Sequence, residues 1–259
     1  MQRTILRDLL VLLGVFGLIW LVFSLFSYPE DPKLLSIQKE EKLGEVYLDL
    51  ILLNPSFGEF DNSRIDSAVG VIGDRLEEGL EDSEYNYNFV VFDSEMINAF
   101  TVPGGNILIS TGLIRFSDSP EELAAVMAHE MGHVEERHVV SRLIKELGIE
   151  ILTSGDQYVI GEVTGLLTST SFDRKQEEEA DLFAANLLER SNIEPRTMAT
   201  LFRKLEEEMD NELMRHFEII STHPNFHSRI REALSYKPAK DFEAEPMDLD
   251  WELIRAELK

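Results

Sequence analysis

The sequence contains no cysteine. The cysteine thiolate is one of the common ligands of transition metals, so a metal site in this chain must use histidine, aspartate or glutamate instead. The same absence excludes attachment of a lipid to a cysteine of this sequence. The sequence also lacks a convincing internal repeat, which excludes an array of tetratricopeptide units within it.

Basic residues are scarce. The chain has 24 lysines and arginines against 49 acidic residues, a formal net charge of −25. This balance argues against a nucleic-acid-binding function and against electrostatic adhesion to anionic lipid. The acidic surplus is typical of a solvated surface, and it also agrees with a preference for basic substrates.

Long apolar runs are absent apart from one near the N-terminus. Residues 9–26 carry no charged side chain, a length that reaches the roughly 18 residues needed for a transmembrane helix. Two arginines precede the run and acidic residues follow it, so the positive-inside rule places residues 1–8 in the cytoplasm and the rest of the chain outside it. The expected location is the bacterial inner membrane, with a single span and the folded domain on the extracytoplasmic side.

A cleaved signal peptide is the main alternative, with Val22-Phe23-Ser24 as a weak cleavage site and secretion of the mature chain to the periplasm. The run is longer than a usual signal-peptide core and lacks the pattern Ala-x-Ala. These two features favour a retained signal anchor.

Residues 129–133 read His-Glu-Met-Gly-His, the pattern H-E-x-x-H. On a helix, His129 and His133 lie one turn apart on the same face and can hold one metal ion. Glu130 is then placed to act as general base on the attacking water, as in zinc metalloproteases. The alternative is a solvated helix that carries two histidines by chance.

The residues before this pattern predict the start of such a helix. Ser119 is an N-cap residue, Pro120 suits the first helical position, and Glu122 stands at the third. An apolar stripe then continues to Val134. His138 follows at a spacing that does not suit the same metal, so we expect it to be structural.

Two histidines leave a catalytic zinc short of one protein ligand, since such sites usually have three. The segment from Arg174 to Leu188 reads as a second helix with three adjacent glutamates. Only Glu177 has an acidic residue four positions later, Asp181, on the same face. One of these two carboxylates can bind zinc while the other accepts a hydrogen bond from a ligand imidazole.

These residues together resemble the gluzincin metallopeptidases, in which H-E-x-x-H is followed by E-x-x-x-D. The closer resemblance is to the membrane-associated group of CAAX prenyl endopeptidases, HtpX-type heat-shock proteases and mitochondrial OMA-type proteases. It spans about residues 60–236. Further segments that match this group are Asn98–Ile107 with Ser110–Leu113, His133–His138, and Thr222-His223-Pro224 with Arg229-Ile230.

The resemblance implies an α+β fold: a mostly helical gluzincin domain with a small β-sheet, here preceded by one transmembrane helix. It also implies one zinc ion per chain, bound by His129, His133 and Glu177. Glu130 is then the general base, and Asp181 orients a ligand histidine.

The resemblance extends to a strand pair around Pro103-Gly104-Gly105, whose residues favour a turn between Val102 and Asn106. An ordinary hairpin is one interpretation of this segment. The family uses an edge strand beside the zinc helix to receive an extended peptide, which is strand addition. The substrate-binding candidates are Asn98, Phe100, Gly104 and Gly105.

Two later residues complete the set of candidates. His223 stands in a Thr-His-Pro motif that, by the resemblance, comes near the zinc. It either binds the oxyanion formed during attack on the carbonyl or caps the metal in a resting state, and without the resemblance it reads as a loop residue. Arg229, six residues on, is placed to pair with active-site carboxylates or with substrate.

The sequence predicts five regions: a cytoplasmic N-terminus (1–8), the signal anchor (9–26), a linker with a helix (27–59), the zinc metalloprotease domain (60–236), and an acidic linker with a C-terminal amphipathic helix (237–259). The last helix either docks back onto the domain or contacts a protein partner. Between the two metal-binding helices, residues 148–171 carry three glycines after Gly148 and form a candidate cover for the cleft.

The expected function is a membrane-anchored zinc endopeptidase that hydrolyses polypeptide substrates, with a role in membrane or envelope quality control by family analogy alone. The alternative is a non-proteolytic chaperone or scaffold that retains a structural zinc. The prenyl-protease interpretation is disfavoured, because relatives with that activity have many membrane spans and this chain has one candidate span.

Overall fold

The computed structural model describes residues 12–18, 32–54, 57–58, 60–148, 152, 162–163, 165–167, 171–208, 222–223 and 225–258. The chain divides into two compact units, Met1–Asp31 and Pro32–Lys259. Residues 12–18 are helical, and the rest of the anchor predicted at 9–26 lies outside the described residues. Within the described ranges, no helix is both long and apolar enough to cross a bilayer.

Across its described residues the second unit is mostly helical, with one small sheet. After a 3₁₀ turn at Pro32–Leu34, the helices with described bounds are α1 (Ile37–Leu52), α2 (Ser63–Glu78), α3 (Thr111–Phe116), α4 (Pro120–Glu135), α5 (His138–Leu147), α6 (Arg174–Arg190), α7 (Thr197–Glu208), α8 (Phe226–Ser235) and α9 (Trp251–Ala256). The strands are β1 (Asn88–Phe92), β2 (Ala99–Val102) and β3 (Asn106–Ser110). The predicted α+β class is confirmed.

The three strands lie in the order β1-β3-β2. Strand β1 runs parallel to β3, while β2 runs antiparallel to β3 and is joined to it by the turn Pro103-Gly104-Gly105. Both glycines have a positive φ, +79° and +83°, a conformation that residues with a Cβ rarely adopt. Because β3 lies between β1 and β2, strand β2 is an edge of this sheet. It lies beside helix α4.

Both faces of the sheet are covered. Alternate residues of β3 face opposite sides, so Ile107 and Ile109 join the core formed with α2, α4 and α6. Leu108 joins a second core formed with α1 and α5. Burial on both sides explains why β3 is a continuous apolar run.

Helix α4 passes through the middle of the domain, and every residue from Glu122 to Val134 is buried. The predicted N-terminus of α4 is confirmed, because Ser119 Oγ accepts the Glu122 N–H at 3.2 Å. Helix α6 begins with a capping box in which Asp173 and Gln176 bond each other's backbone N–H groups. Both metal-motif helices therefore have starts fixed by local sequence.

Helix α1 is fastened to the turn that ends β2. A Cβ added to Gly44 would overlap the carbonyl oxygen of Pro103, so the helix backbone and the turn touch directly. The buried carboxylate of Glu40 accepts the Gly104 N–H at 3.2 Å and the Arg137 Nη2–H at 2.6 Å. We call this contact between α1, the turn and Arg137, which lies between α4 and α5, the α1 junction.

The C-terminal helix docks back onto the domain, one of its two predicted alternatives. Trp251 is 6% exposed, and its indole N–H donates to Ser117 O at 2.8 Å. Ile254 is buried in the same core, whereas Leu253 faces solvent. Residues that follow the family-like region thus complete the core.

Candidate metal centre

Helices α4 and α6 cross at close range, and the candidate site lies where they meet. A Cβ added to Gly132, inside the H-E-x-x-H pattern, would lie 2.9 Å from Ala180 O of α6. The missing side chain lets the two backbones approach and brings His129 and His133 of α4 to face Glu177 of α6. His223, which precedes α8, completes the group.

One ligand atom from each of His129, His133, Glu177 and His223 can be chosen so that all four lie within 4.8 Å of one another. The Nε2 atoms of His129 and His133 are 3.1 Å apart. His223 Nδ1 lies 3.2 Å from His129 Nε2 and 2.9 Å from Glu177 Oε1. All four side chains are buried.

The tautomer of His129 follows from its partner on α6. Its Nδ1 lies 2.9 Å from Asp181 Oδ1, and an ionised carboxylate can only accept. Nδ1 therefore carries the proton, and in a neutral imidazole Nε2 has a lone pair directed into the cluster. This is the orienting contact that the resemblance attributes to Asp181.

His133 is held in the same tautomer by a longer relay. His138 Nε2 lies 3.3 Å from Glu179 Oε2, so it carries a proton and leaves His138 Nδ1 as an acceptor. That atom is 3.0 Å from His133 Nδ1, which must therefore be the donor. Burial lowers the pKa of both imidazoles below the ordinary histidine value, so each is neutral at pH 7.

The donor set fits a zinc ion. The Nε2 atoms of His129 and His133 lie 3.1 Å apart, and because each ring donates through Nδ1, each Nε2 can offer a lone pair to one cation. Two imidazoles and one carboxylate form a common catalytic zinc set. A third imidazole, from His223, could offer a fourth ligand atom to the same ion.

Behind the cluster, Arg229 of α8 links the two carboxylates of α6. Its Nε and Nη2 contact Asp181 Oδ2 and Oδ1, both at 2.7 Å, while Nη1 lies 2.8 Å from Glu177 Oε2. The guanidinium also stacks on the Phe202 ring at 4.2 Å. Of the two partners predicted for Arg229, the structure supplies the carboxylates.

These contacts keep the carboxylates of Glu177 and Asp181 ionised. Burial alone would raise the pKa of Glu177, but His223 and Arg229 outweigh it and hold that pKa well below its usual range. Burial likewise opposes ionisation of Asp181, and Arg229 overrides it to lower the pKa of Asp181 to about 2. For His223, burial is outweighed by Glu177 and Glu130, which raise its pKa above the ordinary value.

The candidate base, Glu130, is fully buried beside the cluster. Its Oε2 accepts the hydroxyl of Thr101 at 2.8 Å. Its Oε1 lies 3.4 Å from His223 Nε2 and has no hydrogen-bond partner among the described residues. One oxygen is therefore held by strand β2, and the other is directed toward the cluster.

The glutamates of α6 separate as helix geometry predicts. Glu177 is buried within the cluster, whereas Glu178 and Glu179 have side-chain exposures of 44% and 37%. Glu178 pairs with Arg174 on the surface, and Glu179 contacts His138. The structure thus brings only Glu177 of the three into the cluster.

The predicted substrate residues are placed differently from the metal candidates. The Phe100 ring packs edge-on against Phe57 and Phe92 in the second core. Gly104 lies against α1, and buried Asn98 pairs through its backbone with Ser110. Phe100 and Gly104 thus support strand β2 and its turn.

Three contributors were not predicted as site residues. Thr101 contacts the base, His138 fixes the tautomer of His133, and Phe172 stacks on the His133 ring with a centroid distance of 3.8 Å. The sequence placed His138 outside the metal shell, which agrees with its position. The short distance in sequence between His138 and the H-E-x-x-H pattern was the one signal that indicated a supporting contact.

Comparison with known proteins agrees with this geometry. Residues 67–237 match the family described as Peptidase family M48. The chain is 30% identical to the Beta-barrel assembly-enhancing protease of Escherichia coli (strain K12) over 216 residues, which is 77% of this chain and 44% of that protein. It is 32% identical to the Mitochondrial metalloendopeptidase OMA1 of Arabidopsis thaliana over 151 residues, 56% of this chain and 30% of that protein.

A third relative is the Metalloprotease LoiP of Escherichia coli (strain K12), 30% identical over 155 residues, which is 56% of this chain and 60% of that protein. The alignments with the barrel-assembly proteases thus cover less than half of those proteins. The matched segment contains both metal-motif helices and the segment with His223, and it leaves out α1 and α9.

Proposed function

The chain belongs to peptidase family M48, a family of zinc metallopeptidases, and from that premise we propose that it is a zinc-dependent endopeptidase. The observation that carries the proposal is the arrangement of buried groups within one small volume: the ligand-like atoms of His129, His133 and Glu177, and a glutamate oxygen directed at them. A solvated helix with two chance histidines would show neither the burial nor the tautomer-fixing partners.

In this proposal His129, His133 and Glu177 hold one zinc ion. When bound, zinc supplies Lewis-acid polarisation of the scissile carbonyl and lowers the pKa of the attacking water. Glu130 Oε1 takes the proton from that water and later gives it to the leaving amine. Asp181 and Arg229 keep the ligand side chains in place and balance their charge.

His223 has two possible roles with opposite consequences. As an oxyanion donor, its loss in His223→Ala lowers kcat by roughly a hundred- to a thousand-fold at matched zinc content. As a fourth ligand that closes the site, its loss raises activity or self-cleavage. The 4.8 Å cluster that includes His223 favours the closing role, and steady-state kinetics of His223→Ala separates the two.

Strand β2 is the proposed receptor for an extended peptide, because it is a sheet edge that lies directly beside helix α4. Peptide binding by strand addition uses backbone groups of the receiving strand. This agrees with the Phe100 side chain, which packs in the second core. Polypeptides are thus the substrate class, and basic segments suit the net charge of −25.

The proposed setting is the bacterial envelope, with residues 9–26 as a membrane anchor and a role in protein quality control. The support is the apolar run in the sequence and the similarity to proteases of Escherichia coli, one of which is named for enhancing β-barrel assembly. Resistance of the full chain to carbonate extraction tests the anchor. Release of a mature chain that begins near residue 25 supports the signal-peptide alternative.

Casein digestion with and without a chelator tests the activity. Glu130→Gln keeps the size of the side chain, so we expect zinc and fold to be retained while turnover falls by roughly a hundred- to ten-thousand-fold. Glu135→Gln, on the same helix but bonded to Tyr87 and Ser83, is the matched control. Wild-type cleavage by Glu130→Gln would show that the proposed mechanism is wrong.

Metal analysis tests the ligands separately. Glu177→Ala and His133→Ala are expected to lose most of the bound zinc, whereas Glu178→Ala, one residue along α6 and exposed, is expected to keep it. Undiminished zinc in Glu177→Ala would reject that ligand. A chain that binds zinc through this site and cleaves no polypeptide would support the chaperone or scaffold alternative.

A further inference from the structure

Strand β2 makes one side-chain contact with the candidate base. Thr101 is 5% exposed, and its hydroxyl oxygen lies 2.8 Å from Glu130 Oε2 and 3.1 Å from Glu130 O. An ionised carboxylate and a carbonyl both only accept, so the threonine is the donor. The shorter contact is with the charged oxygen, and such bonds are stronger than neutral ones.

This contact makes the two oxygens of Glu130 inequivalent. Oε2 is occupied by Thr101, while Oε1 has no hydrogen-bond partner among the described residues and lies 3.4 Å from His223 Nε2. His223 belongs to the metal cluster, so Oε1 is the oxygen on the cluster side. Without this bond the glutamate side chain could rotate about its last bond and turn the plane of the carboxylate, so that neither oxygen would face the cluster.

The backbone N–H and C=O of Thr101 point in a direction set by the ladder of β2 and β3. Ser110 N–H donates to Asn98 O at 3.0 Å, so residues 98 and 110 form a hydrogen-bonded pair of the antiparallel ladder. Hydrogen-bonded and non-hydrogen-bonded pairs alternate, and Thr101 opposite Ile107 is therefore a non-hydrogen-bonded pair. Its backbone N–H and C=O point away from β3, toward the side on which a peptide strand would add.

We propose that Thr101 is a positioning residue that fixes the Glu130 carboxylate with Oε1 as its reacting oxygen. The same residue belongs to the strand that is proposed to receive the substrate, so substrate pairing and base orientation are joined in β2. This inference rests on the proposed peptidase function and adds a residue outside the H-E-x-x-H pattern to it.

The test compares Thr101→Val, which keeps the branched shape and removes the hydroxyl, with Thr101→Ser, which keeps the hydroxyl. On a fluorogenic peptide at matched zinc content, we expect Thr101→Val to lower kcat by roughly tenfold or more, a part of what a general base contributes. KM should change little, because β2 keeps its backbone. Thr101→Ser should restore kcat to within a few-fold of the wild-type value.

Thr111→Val is the matched control. The Thr111 hydroxyl is equally buried and bonds Asp93 and Ser94, at the start of α3. Its loss should lower the urea midpoint and leave kcat unchanged. A wild-type kcat in Thr101→Val, an equal loss in Thr101→Ser, or an equal loss in Thr111→Val would each overturn the positioning role.

A double-mutant cycle on unfolding tests the contact without any activity. The shift in urea midpoint caused by Thr101→Val should be smaller in a Glu130→Ala background than in the wild-type chain, because the carboxylate partner is gone and the backbone carbonyl of residue 130 is the partner left. Equal shifts in the two backgrounds would overturn the contact. A wild-type chain without chelator-sensitive turnover would instead overturn the proposed function and the catalytic part of this inference, while the cycle still decides the contact.

Discussion

Replacing Arg229 with methionine should destabilise the protein more than any surface substitution of the same kind. The guanidinium makes three contacts of 2.7–2.8 Å with Asp181 and Glu177, and its side chain is 3% exposed. Methionine fills a similar volume but leaves the buried Asp181 without the counter-charge of the guanidinium, and leaves Glu177 with His223 as its cationic partner. Removal of one partner from a buried ion pair costs about 3–5 kcal/mol of unfolding free energy.

For a chain of this size, that loss corresponds to a fall in Tm of roughly 6 to 20 °C. The assay is urea unfolding with chelator present and again with zinc. With zinc bound to Glu177, part of the missing positive charge is supplied by the ion, so we expect the loss to be smaller than with chelator. The stability of Arg229→Lys should lie between that of the wild-type chain and that of Arg229→Met, because an ammonium group keeps the charge but cannot make the forked contact with Asp181.

Arg231→Met provides the comparison, since Arg231 is exposed on the same helix α8. A surface substitution of this kind should change stability by no more than about 0.5 kcal/mol. A loss below about 1 kcal/mol for Arg229→Met in the metal-free protein would refute the reasoning, because the carboxylates would then be satisfied without the arginine.

Three further predictions concern the fold. Gly44→Ala should lower the free energy of unfolding by about 1–3 kcal/mol, because its methyl would overlap Pro103 O. Gly70→Ala has nothing within 4 Å of the added methyl and should raise the free energy of unfolding by about 0.5–1 kcal/mol. Equal urea midpoints for the two variants would contradict this. Trp251→Ala should lower the free energy of unfolding by about 3–5 kcal/mol, whereas Leu253→Ala, at a half-exposed position, should change it little. A small loss for Trp251→Ala would mean that α9 is undocked in solution. Burial raises the pKa of Tyr47 to about 12, so its contribution to stability is full below the ordinary tyrosine pKa of about 10 and is lost as pH rises toward 12; urea midpoints of Tyr47→Phe should decline less than those of the wild-type chain over that range.

Much of the site could be predicted from the sequence because its parts follow short-range helix geometry. The spacing of His129 and His133 on one helix, and of Glu177 and Asp181 on another, places each pair on one face. Cap residues such as Ser119 mark where a helix starts and therefore where its faces point. The structure brings all four of these residues together in the buried cluster and its supporting shell.

The supporting contacts could not be predicted because they join segments that are distant in sequence or depend on one unusual backbone angle. Thr101 and Glu130 are 29 positions apart, and their contact depends on how the sheet packs on α4. His138 reaches His133 because Arg137 adopts a positive φ of 54°, which turns the chain sharply between α4 and α5. Neither feature leaves a periodic signal in the sequence.

The α1 junction has a consequence for where this protein can be cut. The segment shared with the family covers 67–237, yet Glu40 and Gly44 close the turn of β2 from one side of that segment, and Trp251 seals the core from the other. A fragment trimmed to the shared segment would therefore expose apolar surface at both ends and leave strand β2 without the support of α1. In chimeras with relatives, α1 and α9 should come from the same parent as the matched segment, because that segment is shorter than the unit that packs together here.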